Sequence, residues 1–557
     1  MKAIINKTIL LAIACFIGFN ASAQNNDSLL RDNQITVIKN FKPILSDAIK
    51  IPVNPNPEKP EYVKPIFTYD VAAKQYMFEP TIYTIKPLSM GTMLLPKLKG
   101  NYMKVGFGNN LTPVGEIYLN TVRNKQLQAG VFLKHLSSNG DLLYNNFSNN
   151  TIHTYVKKYG DKSNLGLEAY YHRNKINLYG YPNTDKKLPE DPSIVYHLYD
   201  VKSHSYNVLR DSSDKLSYRT DAGFYHFNNN SSFKENDAGL KVQLRKTIST
   251  IPFELISGIR LNNNAVKDSS ANWNSFQRIY FDLNPQLFMT SNEFYLKGGF
   301  NSTISSDSAG SQFHFYPKAE GAYYIIPNKL TVFAGFTGNL KPVTYRNIIT
   351  ENPFVTNISL LNTNTKIEVY GGLKGELGPQ TNYKITSSSA SVDNLVTFVQ
   401  DSFSNGQTLL YETEKAKLTT LSFELQHQMN EKFRFGLYTA VYGYELKTLK
   451  RAYSLPLFET KINATYNIGD KFMLKLDMFY WGERYSRIGA TDSLGNYQSK
   501  EIKLNPFVDL NFGIDYRYSK NLSAFLNFNN IANNKYQKYF TYPVYGINIL
   551  GGFTFTF

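Results

Sequence analysis

The residues of this chain best suited to metal or proton chemistry are its eight histidines, His135, His153, His172, His197, His204, His226, His314 and His427. A zinc hydrolase needs two histidines one helical turn apart with a glutamate between them, and no His-Glu-x-x-His occurs. Gly-x-Ser-x-Gly, which lifts a serine nucleophile onto a tight strand-to-helix turn, is missing, as are the glycine-rich phosphate loop and aspartate-rich calcium loops. Cys15 is the only cysteine and lies in an N-terminal leader, so neither a disulfide framework nor a thiolate metal site is expected in the mature chain. The expectation is a protein without catalysis, cofactor or metal. Two weaker patterns remain. Tyr438, Tyr442, Tyr444, Phe479, Tyr480 and Trp481 would suit either sugar stacking or a membrane-barrel aromatic lining. Lys104, Lys134, Lys297, Lys475 and Arg517 would either favour anionic solutes or pair with Asp477, Asp509, Asp515 and Glu424 on neighbouring elements.

The elements that carry these residues follow from composition. Aromatics make up 15% of 557 residues, with Tyr 41 and Phe 38, which favours strands. Past residue 23 there is no run of about 18 apolar residues, so a helical membrane protein is excluded. Lys+Arg 60 against Asp+Glu 44 gives +16, but the excess is dispersed and forms no basic stripe, so nucleic acid is not an expected partner. At the start, Lys2 and Lys7 precede the apolar run Ile9–Phe19, and Ala21-Ser22-Ala23 is a small-residue cleavage site. Residues 1–23 therefore read as a signal peptide cut between Ala23 and Gln24. Residues 24–97 are punctuated by prolines, densest at Asn54-Pro55-Asn56-Pro57-Glu58-Lys59-Pro60, and read as an extended tethered segment without its own core.

From Leu98 to Phe557 the pattern has period two. Val508, Leu510, Phe512, Ile514, Tyr516 and Tyr518 alternate with Asp509, Asn511, Gly513, Asp515 and Arg517. Leu522, Ala524, Leu526 and Phe528 repeat it, with Phe525 on the wrong face. The runs are long, and short turns such as Ser291-Asn292, Pro327-Asn328, Gly469-Asp470 and Ser519-Lys520 join them in pairs. Longer links, Leu178–Val201, Lys341–Thr363, Val392–Lys415, Tyr485–Leu504 and Asn533–Tyr545, fall between the pairs. A soluble sandwich has shorter strands and no such alternation of links, whereas a membrane barrel has both. The predicted fold is all-β: a transmembrane antiparallel barrel of about 22 strands over residues 98–557, with the stretch Leu395–Tyr411 left in a loop.

The last strand adds a biogenesis signal. Phe553, Phe555 and the terminal Phe557 share a face with Ile547 and Ile549. This resembles the strand recognised by the outer-membrane barrel-assembly machinery, which would be a partner during biogenesis, with outer-membrane lipid as the lasting surround.

The opening stretch Tyr102-Met103-Lys104-Val105-Gly106-Phe107-Gly108-Asn109-Asn110-Leu111-Thr112-Pro113 and the closing region Val508–Phe557, with Asn529-Asn530-Ile531-Ala532-Asn533-Asn534-Lys535-Tyr536 and Tyr542-Pro543-Val544-Tyr545-Gly546, resemble the barrel half of TonB-dependent receptors. The resemblance implies a barrel of 22 strands in a Gram-negative outer membrane and uptake of a solute. Residues 24–97 lack the glycine- and arginine-bearing motifs of a globular plug, so a reduced plug is expected, periplasmic or in the lumen. Ile35, Thr36, Val37 and Ile38 have the extended β-branched texture of a TonB box, which makes TonB a possible partner. The alternative is a non-transporting subunit of an outer-membrane complex for protein export, barrel assembly or surface lipoproteins, held to other envelope proteins. Either way, about 22 strands about 4.8 Å apart, tilted by about 40°, enclose a backbone cylinder roughly 40 Å wide, which something must fill.

Overall fold

A computed structural model describes residues 99–557, apart from 123, 141, 181–191, 208–215, 231, 268–271, 308–309, 402–403, 405, 430–431 and 492–496. The leader (Ala21, Ala23, Gln24), the proline-rich segment and Ile35–Ile38 lie outside the described residues.

Twenty-two strands form one sheet, and the sheet closes on itself. The first strand, Tyr102–Gly108, pairs antiparallel with the last, Asn548–Thr556, from Tyr102 opposite Thr556 to Gly108 opposite Leu550. Closure leaves no row of unpaired backbone groups, the condition for a sheet to lie in hydrocarbon. The fold is thus the transmembrane antiparallel barrel that the alternation predicts. Wall strands run from 7 residues at the seam to 18 at Trp273–Thr290.

Alternation sorts the side chains. Val105, Phe107, Ile152, Leu165, Leu167, Phe281, Leu287, Met289, Phe553 and Phe555 are all exposed on the outside. Their neighbours face the lumen, where charges meet. Lys475 pairs with Asp515, Lys134 lies 3.4 Å from Glu116 and Lys384 3.7 Å from Glu424. Lys104 sits 4.4 Å over the Phe525 ring and Lys297 5.6 Å over Phe288. Asp509 accepts a bond from Tyr536 at 2.6 Å. Of the five singled-out cations, Lys475 pairs with an anticipated acid and Lys134 with a different one, whereas Lys104, Lys297 and Arg517, like Asp477, make no ion pair among the described residues.

Phe525 turns inward because the seam leaves room for it. Gly106 stands opposite Gly552, and the Phe525 ring lies over both with Val114 and Leu550. A Cβ on Gly552 would come within 2.1 Å of the Val105 carbonyl and 2.9 Å of the Phe525 ring.

One rim carries short turns. At Gly469-Asp470 both residues have positive φ, 56° and 57°, and Lys471 N–H bonds the Ile468 carbonyl at 3.2 Å, the primed turn that matches strand twist. The opposite rim carries long connections with structure of their own: the helix Tyr345–Glu351, a three-stranded sheet of Val355–Asn357, Leu395–Gln400 and Gln407–Glu412, and the hairpin Arg484–Thr491 with Tyr497–Leu504. Leu395–Tyr411 thus lies in a loop, as expected. The link expected over Leu178–Val201 is shorter, because a wall strand already begins at Ser193.

Gly552→Val is expected to lower seam stability by about 1–3 kcal/mol through overpacking. The temperature at which the folded barrel loses its fast-migrating gel band should fall, whereas Gly115→Ala, which would meet nothing within 4 Å, should leave it unchanged.

Candidate functional site

The long connections meet over the barrel mouth and share one apolar core with the wall. Val343, Tyr345, Ile348, Ile349, Val355, Phe398, Leu409, Tyr539 and Tyr542 come from connections, and Tyr196, Leu198, Tyr225, Phe227 and Phe233 from wall strands. Phe354 stacks on Tyr542 at 3.8 Å, and Phe233 on Tyr345 at 4.7 Å. Burial of aromatics of this size is the main force holding the cap down.

Polar bonds fix where each connection lands. The helix Tyr345–Glu351 starts at Thr344, whose side chain caps Asn347 N–H. The next donors are taken by the wall: Glu235, fully buried, accepts from Tyr345 N–H at 2.9 Å, Arg346 N–H at 3.2 Å and the Tyr225 hydroxyl at 2.9 Å. Arg346 then pairs with Asp200 at 2.9 Å, and the Tyr196 hydroxyl donates to the Pro353 carbonyl at 2.8 Å. At the far end of this connection Asn362 accepts from Tyr280 at 2.8 Å and from Arg278.

The other connections bind one another. The Tyr539 hydroxyl reaches the Glu351 carbonyl at 2.8 Å, Gln407 the Phe540 carbonyl at 3.1 Å, and Ser454 the Phe398 carbonyl at 2.8 Å. Arg484, 1% exposed, spends its guanidinium on the carbonyls of Lys538 at 2.9 Å and Gln537 at 3.0 Å. Tyr179 donates to the Pro543 carbonyl at 3.0 Å, and Tyr545 to the Asn145 carbonyl.

Glu412 is the strongest single tie. Fully buried, it accepts N–H bonds from Lys447 at 3.1 Å and Leu449 at 2.8 Å, shares the Thr448 N–H between its two oxygens, and accepts the Thr448 hydroxyl. Burial pushes its carboxyl up, but the Leu449 N–H and the Thr448 hydroxyl and N–H together outweigh burial and hold it below the usual range. One carboxylate thus joins the connection 394–415 to 446–457.

Beneath the cap lies a cavity of about 560 Å³ lined by Tyr170, Tyr196 and Phe227 with His153, His172 and Arg346. His153 Nε2 is 3.7 Å from Glu168, and His172 Nδ1 is 2.9 Å from the Thr151 hydroxyl. Of the sequence-singled histidines these two share a pocket, whereas His197 and His226 alternate onto the exterior with the exposed Tyr199 between them. Among the described residues no group of three or more His, Cys, Asp and Glu could hold a metal. The tyrosine-rich stretch lines the lumen elsewhere. Glu459 accepts from Tyr442 at 2.7 Å and Trp481 at 3.0 Å, and Tyr438 lies 3.4 Å from Tyr442. Tyr480 alone points outward, against Phe458 at 5.6 Å. Phe553 and Phe555 lie exposed on the closing strand, and Phe557 ends it, its N–H bonded to the Asn101 carbonyl at 3.0 Å.

No protein-family model matches the sequence, and no curated protein does. Solved structures match well. The ferripyoverdine receptor of the Pseudomonas aeruginosa outer membrane aligns over 82% of this chain and 71% of its own, with TM-score 0.63 and 10% identity. The ferric-catecholate import receptor Fiu of E. coli covers 83% of this chain and 82% of its own at TM-score 0.62 and 11% identity. The FrpB iron transporter of Neisseria meningitidis gives 0.63 at 9% identity, over 83% of this chain and 82% of its own. This is the barrel fold of the TonB-dependent receptors. Within that TonB-dependent-receptor fold, the cap residues Glu235, Glu412 and Arg484 were not singled out by sequence. Each looks like an ordinary charge on a strand, and only Thr344 ahead of Tyr345–Glu351 offers a helix-start signal.

A carboxylate held below its usual value stabilises the closed cap above that usual value, 4.5, and loses its effect as pH falls through the lowered one. Tyrosine near-UV dichroism should therefore hold from pH 7 down to 5 and decay well below 4.5. Glu412→Ala leaves buried N–H groups unpaired at about 1–3 kcal/mol each. It should expose Lys447, Lys450 and Arg451 to trypsin at pH 7, where the parent resists.

Proposed function

We propose that this protein is an outer-membrane uptake receptor whose outer entrance is closed by its own connections. The observation that carries this reading is the pairing of a 22-stranded closed wall with a capped mouth and a lined chamber below it. The fold is shared with proteins named as siderophore and iron receptors and as a copper transporter. In this reading the long-connection rim faces outside and the short turns face the periplasm. A solute bound at the cap opens it and passes into the chamber, where Tyr170, Tyr196 and Phe227 offer flat apolar faces and His153, His172 and Arg346 offer donors. Residues 24–97 act as the reduced plug, and Ile35–Ile38 as the strand offered to TonB. The protein carries out no catalysis; its work is selective passage.

One feature supports the other reading. A mouth closed by interlocked connections and an inner wall lined with ion pairs would also suit a barrel that serves as an anchoring subunit for other envelope proteins.

Planar-bilayer recordings separate the two. Removing residues 26–90 together with Glu412→Ala should raise single-channel conductance well above that of either change alone. Unchanged low conductance in the doubly altered protein would sink the receptor reading, and stoichiometric co-purification of other envelope proteins after gentle solubilisation would favour the subunit.

A further inference from the structure

Eight consecutive wall strands, spanning residues 127–290, separate their charges by face. Their carboxylates, from Glu168 and Asp200 through Glu235 and Asp237 to Glu254 and Asp282, all alternate onto the lumen side, opposite exposed apolar residues such as Leu167, Tyr199, Leu240 and Phe281. Among the described residues of these strands, the only charges on the outer face are cations. Toward the long-connection rim these are Arg173, Lys175, Lys234 and Lys267, none of which forms an ion pair among the described residues. Elsewhere on the same rim the exterior Lys417 is matched by Glu445 at 3.4 Å.

The strand register orders this surface in rows. Ala169, Val201, Phe224, Ala238 and Leu261 stand opposite one another in turn, an apolar row. One step toward the long-connection rim come Tyr171, Tyr199 and His226, with ring centroids 4.9 and 6.2 Å apart. One step further, Arg173 faces His197, His197 faces Asn228 and Asn228 faces Lys234. Beside that row Lys267 pairs with Trp273, and the ammoniums of Lys234 and Lys267 lie 4.5 and 5.9 Å from the Trp273 ring. Along the strands that carry these cations the outside passes from apolar through aromatic or amide to cationic groups toward this rim, as in Ala169, Tyr171, Arg173 and Lys175, the order found across a membrane interface. Arg173 and Lys234 are three strand spacings apart, about 14 Å.

We propose that Arg173, Lys175, Lys234 and Lys267 form a docking strip for the phosphates of an outer-leaflet glycolipid, with Trp273, Tyr171 and Tyr199 seated against its upper acyl and sugar portion. Four cations that are unpaired among the described residues, on strands whose described residues place no carboxylate on the outside, call for an anionic occupant. Their place directly above an apolar wall and an aromatic row selects a lipid headgroup over a free anion. Arg173 supplies a fork of donors that fits phosphate oxygens in pairs, while the two lysines on Trp273 are held in place by its π face. The proposal rests on the outward orientation of the long-connection rim, but not on solute passage.

The test uses the full-length protein in nanodiscs of zwitterionic phospholipid doped with diphosphoryl lipid A or its dephosphorylated form, read by native mass spectrometry after detergent release. The parent should retain the phosphorylated lipid at least tenfold over the dephosphorylated one. Joint Arg173→Gln, Lys175→Gln, Lys234→Gln and Lys267→Gln should abolish that preference, and Lys158→Gln with Lys246→Gln at the opposite rim should keep it. Equal retention of the two lipids by the parent, a comparison that needs no variant, would overturn the proposal. So would an undiminished preference in the quadruple variant, or its loss in the opposite-rim variant. Retention of an acidic polypeptide from the source membrane in place of the lipid would overturn it as well.

Discussion

A backbone group in hydrocarbon has no water to bond, and this single requirement orders the whole molecule. It demands that the sheet have no edge, which makes the pairing of Tyr102–Gly108 with Asn548–Thr556 indispensable although it joins opposite ends of the wall. It also fixes the wall's chemistry, since closure leaves one face to lipid and the other to a wide interior. The glycine pair at Gly106 and Gly552 and the inward ring of Phe525 are local solutions at that joint.

The wide interior creates the second constraint. A cylinder of this girth would be a hole unless filled, and the described residues fill its mouth from one rim. The filling works because the wall strands beneath it are apolar on their inner face as well. Tyr196, Leu198, Tyr225 and Phe227 project inward at the level where the helix Tyr345–Glu351 settles, and Glu235 and Asp200 meet that helix's first backbone donors and its arginine. Deeper in, where no cap reaches, the inner face returns to charged and amide pairs such as Lys475 with Asp515 and Gln286 with Glu254.

This division explains what could be read in the sequence. The period-two pattern is plain wherever one face meets lipid and the other water, as in 508–518 and 281–289, and there the strands and Gly469-Asp470 were legible. It blurs where both faces are covered by apolar matter. Ser193–Val201 carries Tyr196 and Leu198 inward and Tyr199 and Val201 outward, so its sequence shows no alternation and reads as part of a link. The cap itself was illegible because its core joins residues as distant as Val343, Phe398 and Tyr539, each unremarkable in its own stretch. Glu412 shows the same limit: its role comes from the backbone of 447–449, which no local pattern announces.

The joint between Tyr102 and Thr556 also governs how such a wall comes into being. Nearly the entire chain must be looped out before its two terminal strands can meet, and the entropy of so long a loop is lost before any of those bonds is gained. The polypeptide therefore has to be kept unaggregated with two sticky borders until its final residues arrive. A deletion of the last strand alone would leave both borders permanently raw.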